Sequence, residues 1–282
     1  MSDGVLRIGL DIGTGFVKCV SDHGAVRFPS LYVKRTHGDW ADADYEAVGE
    51  RAAGMLHTSG ASTVRPVVRG RPDPRYQKQV EMLIREAVSR VRVAAGRAAD
   101  CGEKTGMAVG LPYEASDCRE AVSKMVRRCV PADRCDVVAQ AVGTLVDMDK
   151  STGMVVSIGQ GTSEIVVIED NQVIDGESSR WASEFITRKI GKFAHLDKDL
   201  LHRRRETCKK YARVLAGNLA DEITDMSAEY GHAHDVVLSG GGLLIPGVRD
   251  ELESRLKKRF RISVPADPVM SNASGLYKLL VE

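Results

Sequence analysis

Apolar, largely β-branched positions gather into four short runs: VLRIGL (residues 5–10), FVKCVS (16–21), MVVSI (154–158) and SEIVVIE (163–169). Each pair brackets a glycine-containing tip, and the pattern predicts two β-hairpins. The hairpins match without gaps. LDIGTGFVKCV from Leu10 and VSIGQGTSEIV from Val156 place Ile12, Gly13, Gly15 and Val20 on Ile158, Gly159, Gly161 and Val166, an offset of 146 residues in a chain of 282. A repeat at about half the chain length predicts two related halves, residues 1–150 and 151–282. A third strand follows each hairpin, at Ala25–Phe28 and at Gln172–Asp175.

Helical periodicity then predicts a helix over about Arg75–Ala95, with Val80, Leu83, Ala87, Val88 and Val91 near one face. A strand at Gly106–Leu111, a helix near Asp117–Arg128, a strand at Asp136–Ala139 and a helix from Gln140 complete the first half. The second half reads as helices at about Trp181–Lys192 and Leu200–Tyr230, the latter broken near Gly217. There follow a strand at Asp235–Leu238, a helix near Val248–Phe260, a strand at Arg261–Val264 and a helix from Asn272. The order is βββ-α-β-α-β-α, twice, which predicts an α/β fold of two mixed sheets facing each other across a cleft. Residues 29–74, rich in Gly and Pro, read as a small subdomain inserted in the first half. The corresponding interval in the second half, about 192–200, leaves almost no room for one.

Composition narrows the partners. Forty Lys and Arg against 39 Asp and Glu leave a net charge of +1, so no global basic field is available to hold nucleic acid or an anionic membrane. The basic clusters at Arg203, Arg204, Arg205, Lys209, Lys210 and at Lys257, Lys258, Arg259, Arg261 read as solvated helix faces. No apolar run approaches the roughly 18 residues of a membrane span, and the Met-Ser-Asp-Gly start lacks signal-peptide regions. A cytoplasmic location is expected, without membrane insertion or direct nucleic-acid binding. The six cysteines, with no C-x-x-C pair, suggest neither a zinc site nor a disulfide framework; they read as incidental thiols.

The two glycine-rich tips carry the candidate chemistry. Glycine lets backbone N–H groups converge on an anion, and two such tips across one cleft would hold a polyphosphate from both sides. A single tip of this kind is equally an ordinary tight turn; a second copy at half-chain spacing favours the phosphate reading.

With those residues in view, the chain resembles the actin, heat-shock-chaperone and sugar-kinase ATPase superfamily, and within it the actin-like branch. LDIGTGFVKCV resembles the first phosphate motif, VVSIGQGTSEIVVIE the second, and VVLSGGGLLIPGVRDEL, from Val236, the adenosine motif. AQAVGTLVDMDKSTGMVV, from Ala139, is similar to the stretch of actin in which a Gln opens the hinge helix. AVGERAAGML and VRPVVRG resemble MreB and ParM, and DPVMSNASGLYKL resembles the ParM terminus.

The resemblance implies a duplicated ribonuclease H-like fold that binds ATP or ADP with Mg²⁺. Asp11 would hold the hydration shell of the metal, and Gln140 would orient the attacking water. Gly13, Thr14, Gly15 and Lys18 from one half, and Ser157, Gly159, Gln160, Gly161 and Thr162 from the other, would flank the phosphates. Glu206 and Lys209 would match the family's E-x-x-K contact to adenosine and ribose; by spacing alone they are a surface ion pair. Gly240, Gly241 and Gly242 would let backbone approach the purine or its phosphates.

Two departures follow from the same comparison. Ser157 stands where the actin-like pattern has a second Asp, which implies slow hydrolysis. The fourth subdomain is reduced to helices around Asp197–Arg213, which implies an adenine partly open to water. The expectation is an ATP-binding cytoskeletal protein that assembles head to tail and meets an adaptor or cargo protein, with plasmid or organelle positioning as its role. The alternative is a non-polymerising, nucleotide-dependent adaptor.

Overall fold

The computed structural model describes residues 5–35, 45–96, 104–230 and 234–281. The first half opens with strands β1 (Val5–Ile12), β2 (Phe16–Ser21) and β3 (Gly24–Pro29). The inserted segment then contributes β4 (Tyr32–Arg35), β5 (Tyr45–Val48), helix α1 (Gly49–Gly54), β6 (Ala61–Val64), β7 (Val67–Val68) and β8 (Arg71–Pro72). Helix α2 (Gln77–Ala94), β9 (Lys104–Leu111), α3 (Arg119–Cys129), β10 (Arg134–Ala139) and α4 (Gln140–Asp147) complete it. The second half runs β11 (Gly153–Ile158), β12 (Ser163–Glu169), β13 (Gln172–Ser179), α5 (Glu184–Thr187), α6 (Lys198–Arg203), α7 (Arg205–Glu229), β14 (Asp235–Ser239), α8 (Val248–Leu256), β15 (Arg261–Ser263) and α9 (Ser271–Lys278).

The two large sheets have the same plan. Their orders are β10-β9-β1-β2-β3 and β15-β14-β11-β12-β13, each with three antiparallel strands from the opening hairpins and two parallel strands beyond. The expected duplicated mixed-sheet fold is therefore present. The central strands β1 and β11 are nearly continuous apolar runs because each is covered on both faces, the signature of a buried strand. The inserted segment contributes a third small sheet, β5-β4-β6, with its own core of Leu31, Val33, Ala47 and Ala52.

The halves are joined by an exchange of helices. α4, from the first half of the chain, packs Ala141, Val142, Leu145 and Val146 on Val155, Val166 and Val237 of the second sheet. α9, from the end of the chain, lies against β1, where a Cβ at Gly9 would come within 2.2 Å of Ala273 O. α4 and α9 cross at Gly143 and Gly275, with backbone against backbone. Gln140 thus opens one crossing helix and Asn272 lies in the first turn of the other, and both residues line the cleft.

Two expectations for the second half are corrected. The helix expected over Trp181–Lys192 is reduced to the four residues Glu184–Thr187, because this stretch turns repeatedly to reach the opposite half, with Phe193 at a left-handed φ of 65°. The long helix does not break at Gly217, whose open side is filled by the Arg255 guanidinium. The break falls at Arg204, where the short α6, capped by the Asp197 carboxylate on Leu200 N at 2.8 Å, gives way to α7. Cys19, Cys118, Cys129, Cys135 and Cys208 are free thiols; Cys101 lies outside the described residues.

Candidate nucleotide cleft

Both hairpin tips close in the same way. Gly13 N donates to Phe16 O at 3.1 Å and Gly159 N to Thr162 O at 2.9 Å, so these two N–H groups serve the turn itself. Among the described residues the N–H groups of Thr14, Gly15, Gln160 and Gly161 have no partner and remain for a ligand. The tips meet reciprocally: a Cβ at Gly161 would lie 2.9 Å from Thr14 Oγ1, and one at Gly15 would lie 3.0 Å from Gln160 Cβ. Only glycine permits that approach. The inserted segment steadies the first tip through Gly70 N to Thr14 Oγ1 at 2.8 Å. The second is held by the Gln160 side chain, which accepts from Ser183 Oγ at 2.8 Å and donates to Thr187 Oγ1 at 3.0 Å.

Between the tips lies a cleft of about 410 Å³, whose walls include Asp11, Gly13, Thr14, Gly15, Lys18, Gln140, Ser157, Gly159, Gln160, Gly161, Thr162, Gly240, Gly241 and Gly242. It therefore brings together all the expected residues except Glu206 and Lys209. Those two pair with each other at 3.3 Å on α7, outside the lining, with the Lys209 stem packed beside Gly247, next to the lining residue Pro246. The glycine triplet works by close approach. Gly240 has φ 91°, and a Cβ there would lie 2.4 Å from Ile158 O. Leu244 lines the mouth while 55% exposed, so that side of the cleft is open to water.

The charge in the cleft suits an anion. Among the described residues Lys18, Arg27 and Lys198 line it against the single carboxylate Asp11. Asp11 is buried; its Oδ2 accepts from Lys18 Nζ at 2.8 Å and from Asn272 Nδ2 at 3.2 Å, while its Oδ1 has no partner. A buried, unpaired carboxylate oxygen beside unpaired backbone donors fits a hydrated divalent cation carried by a polyphosphate. No group of three or more His, Cys, Asp or Glu among the described residues could hold a metal alone. An ion here would rest on Asp11, waters and phosphate oxygens, the usual habit of Mg²⁺.

Sequence reading missed two residues. The first is Glu164. β11 and β12 pair so that Ser157 faces Glu164, just as Asp11 faces Lys18 in the first hairpin. The repeat has exchanged polarity: acid and amine in one half, hydroxyl and acid in the other. The carboxylate absent at Ser157 is thus found one strand across. Glu164 is buried and accepts from Tyr113 N at 2.5 Å and from the Gln140 amide. Burial pushes its carboxyl up to about 7; those two donors oppose the rise, and the charges of Asp11 and Glu114 add to it. Gln140 touches both this carboxyl and the cleft.

The second is His195, on the short segment before α6. It lines the cleft beside Phe16, with ring centroids 6.1 Å apart, and both ring nitrogens are buried without partners. Burial, aided by the Arg65 charge, pushes its pKa down to about 3, so it is neutral at physiological pH. Orphaned polar atoms facing a cleft ask for a ligand. His195→Ala is expected to weaken nucleotide binding about tenfold, the worth of one hydrogen bond in a dry site, by fluorescence titration. Unchanged affinity would remove it from the site.

The stretch from α5 to α6 also contacts the inserted segment. Arg65 of the inserted segment pairs with Glu184 at 2.8 Å and lies over the Phe193 ring at 5.1 Å, while Phe193 and Leu196 join the small core of Leu31, Val33, Ala47 and Ala52.

No helix among the described residues is long and apolar enough to cross a membrane. The chain is similar over nearly its whole length to the MamK double helical filament (17% identity, TM-score 0.79, covering 99% of each chain). It is likewise similar to MreB 5 of Spiroplasma citri bound to AMPPNP (15% identity, TM-score 0.75, 99% of this chain and 96% of that one). A third neighbour is Ta0583, an archaeal actin homolog (15% identity, TM-score 0.72, 98% and 99%). No curated protein matches by sequence. The MreB/Mbl family model matches residues 6–207, and with the duplicated sheets and paired glycine tips around one cleft, the chain belongs to the MreB/Mbl family of actin-like proteins.

Proposed function

We propose that the protein binds Mg²⁺·ATP between its halves, hydrolyses it slowly and assembles head to tail into nucleotide-dependent filaments that position a plasmid or organelle through an adaptor or cargo protein. One observation carries this reading: the two glycine tips present four unpaired N–H groups to each other across a cleft that also holds the orphaned Asp11 Oδ1. The neighbours support it, one being a double helical filament and another binding AMPPNP. Asp11 would hold the hydrated Mg²⁺, whose charge would offset that of the phosphates. Thr14, Gly15, Gln160 and Gly161 would grip the phosphates through backbone, with Lys18 as a point charge. Gln140, held by Glu164, would orient the attacking water, whose proton would pass to the Glu164 carboxylate behind Gln140 by way of one further water. Ser157, unable to act as a carboxylate toward the metal, keeps the rate low. The hinge between halves lies near Asp147–Thr152, where α4 passes into β11.

Light scattering and pelleting with ATP, ADP and no nucleotide, with phosphate release followed in the same tube, test this reading. ATP-dependent polymer with slow release is expected. Binding with neither polymer nor release favours the alternative, a nucleotide-dependent adaptor, for which Ser157 is the supporting observation.

A base at Glu164 sets a pH dependence. Release should rise through about pH 7 as the carboxyl loses its proton, and Glu164→Gln should lower it about 100-fold and abolish the inflection. Stability runs the other way. A folded-state pKa raised from 4.5 to about 7 favours the folded protein at low pH, and that contribution is lost as pH rises across this window. Glu164→Gln should therefore flatten the fall in thermal midpoint between pH 4.5 and 7. A release profile that keeps its inflection in the variant would contradict the assignment.

A further inference from the structure

Helix α7 carries its charges at the wrong ends. Its 25 residues, about 37 Å at 1.5 Å per residue, divide into three parts. The first third bears Arg205, Lys209, Lys210 and Arg213 against the one acid Glu206, preceded by Arg203 and Arg204; the middle, Val214–Ala220, is uncharged; the last bears Asp221, Glu222, Asp225 and Glu229 with no cation. A helix favours anions at its N-terminus and cations at its C-terminus, so this placement opposes the macrodipole and is not explained by the helix's own stability.

Nor is it explained by partners within the chain. Lys209 pairs with Glu206, Arg213 with Glu251 and Arg203 with Asp197. Arg204, Arg205 and Lys210 are exposed and form no ion pair among the described residues, and Lys189 joins them, held with Lys210 over the Tyr211 ring. At the other end, Asp175 accepts from Tyr230 at 2.9 Å just beyond the helix, and Glu177 and Glu114 come from neighbouring elements. Burial and the charges of Glu222, Asp175, Glu114 and Asp225 push the Glu177 carboxyl above its ordinary range, a sign that these acids crowd one another. Asp221, Asp225 and Glu229 are exposed and have no cationic partner among the described residues.

One end of the second half is thus basic, the opposite end acidic, and a single uncharged rod separates them. We propose that these two ends are the complementary faces of one heterologous contact, the acidic end of one copy docking on the basic end of the next. A translation along α7 makes this contact without closing a ring, so it propagates. The inference rests on the reading of the protein as self-assembling and supplies that assembly with its contact.

Charge exchange tests it. Arg205→Glu/Lys210→Glu reverses two exposed, unpaired charges at the basic end; Asp221→Lys/Asp225→Lys reverses two at the acidic end. None of the four residues lines the cleft. Each variant should bind nucleotide as the wild type does and keep its fold, since all four residues are exposed and form no ion pair among the described residues. Each alone should raise the critical concentration for ATP-dependent pelleting about tenfold or more, because like charges then face each other. An equimolar mixture should pellet both, within about threefold of the wild-type value, in alternating copies. Wild-type assembly should also weaken as salt shortens the screening length from about 10 Å at 0.1 M to 3 Å at 1 M. If the wild type polymerises and the single-end variants do so equally, or if the mixture is not rescued, the contact is wrong while the functional reading stands. If the wild type forms no polymer with any nucleotide, both fall.

Discussion

Gly275→Ala is expected to cost at least about 3 kcal/mol of stability and to loosen the nucleotide cleft together with the fold. The reason is the crossing of α4 and α9. A Cβ at Gly275 would lie 1.7 Å from Gly143 O, and one at Gly143 would lie 2.5 Å from Asn272 O. The obstacles are backbone atoms, so no change of rotamer relieves them and the helices must separate. Separation moves Gln140 away from Glu164 and Asn272 away from Asp11, since each lies in the first turn of one of the crossing helices. Denaturant midpoints should fall sharply, whereas Gly54→Ala, at a helical glycine facing open space, serves as the control. A Gly275→Ala protein as stable as the wild type would contradict the close crossing on which the linkage of the halves depends.

Asp11→Ala is expected to lower affinity for ATP in the presence of Mg²⁺ about 100-fold and to make the remaining binding indifferent to a chelator. Among the described residues Asp11 is the one carboxylate lining the cleft, and its Oδ1 is left without a partner. Its removal also frees Lys18, now held at 2.8 Å, to meet a phosphate directly. The loss should therefore be specific to the metal-dependent part of binding. Normal Mg²⁺-dependent affinity in this variant would remove the basis of the site.

Much of this was legible in the sequence because the fold is duplicated. Short apolar, β-branched runs around glycine tips located both hairpins, and the offset of 146 residues identified the tips as a pair. Local pattern failed where the chain answers to distant contacts. Residues 181–192 have helical composition, yet Glu184 is drawn to Arg65 across the cleft and the backbone turns to seat Phe193. Gly217 looked like a breaker and is accommodated instead, because its small size admits Arg255. Glu164 was overlooked because an acid near the start of SEIVVIE reads as a solvent-facing strand position. The repeat contained the signal, for Glu164 is the counterpart of Lys18, and only the register shows it buried behind Ser157. His195 had no sequence signal, since its value lies in the absence of partners for both ring nitrogens.

The claim at the centre is that the two halves together form one metal-assisted nucleotide site. Calorimetric titration of the wild-type protein with AMPPNP, with and without Mg²⁺, measures it directly. Saturable binding at one nucleotide per chain, markedly tighter with Mg²⁺, is the predicted result; no saturable binding, or binding that ignores Mg²⁺, would contradict it.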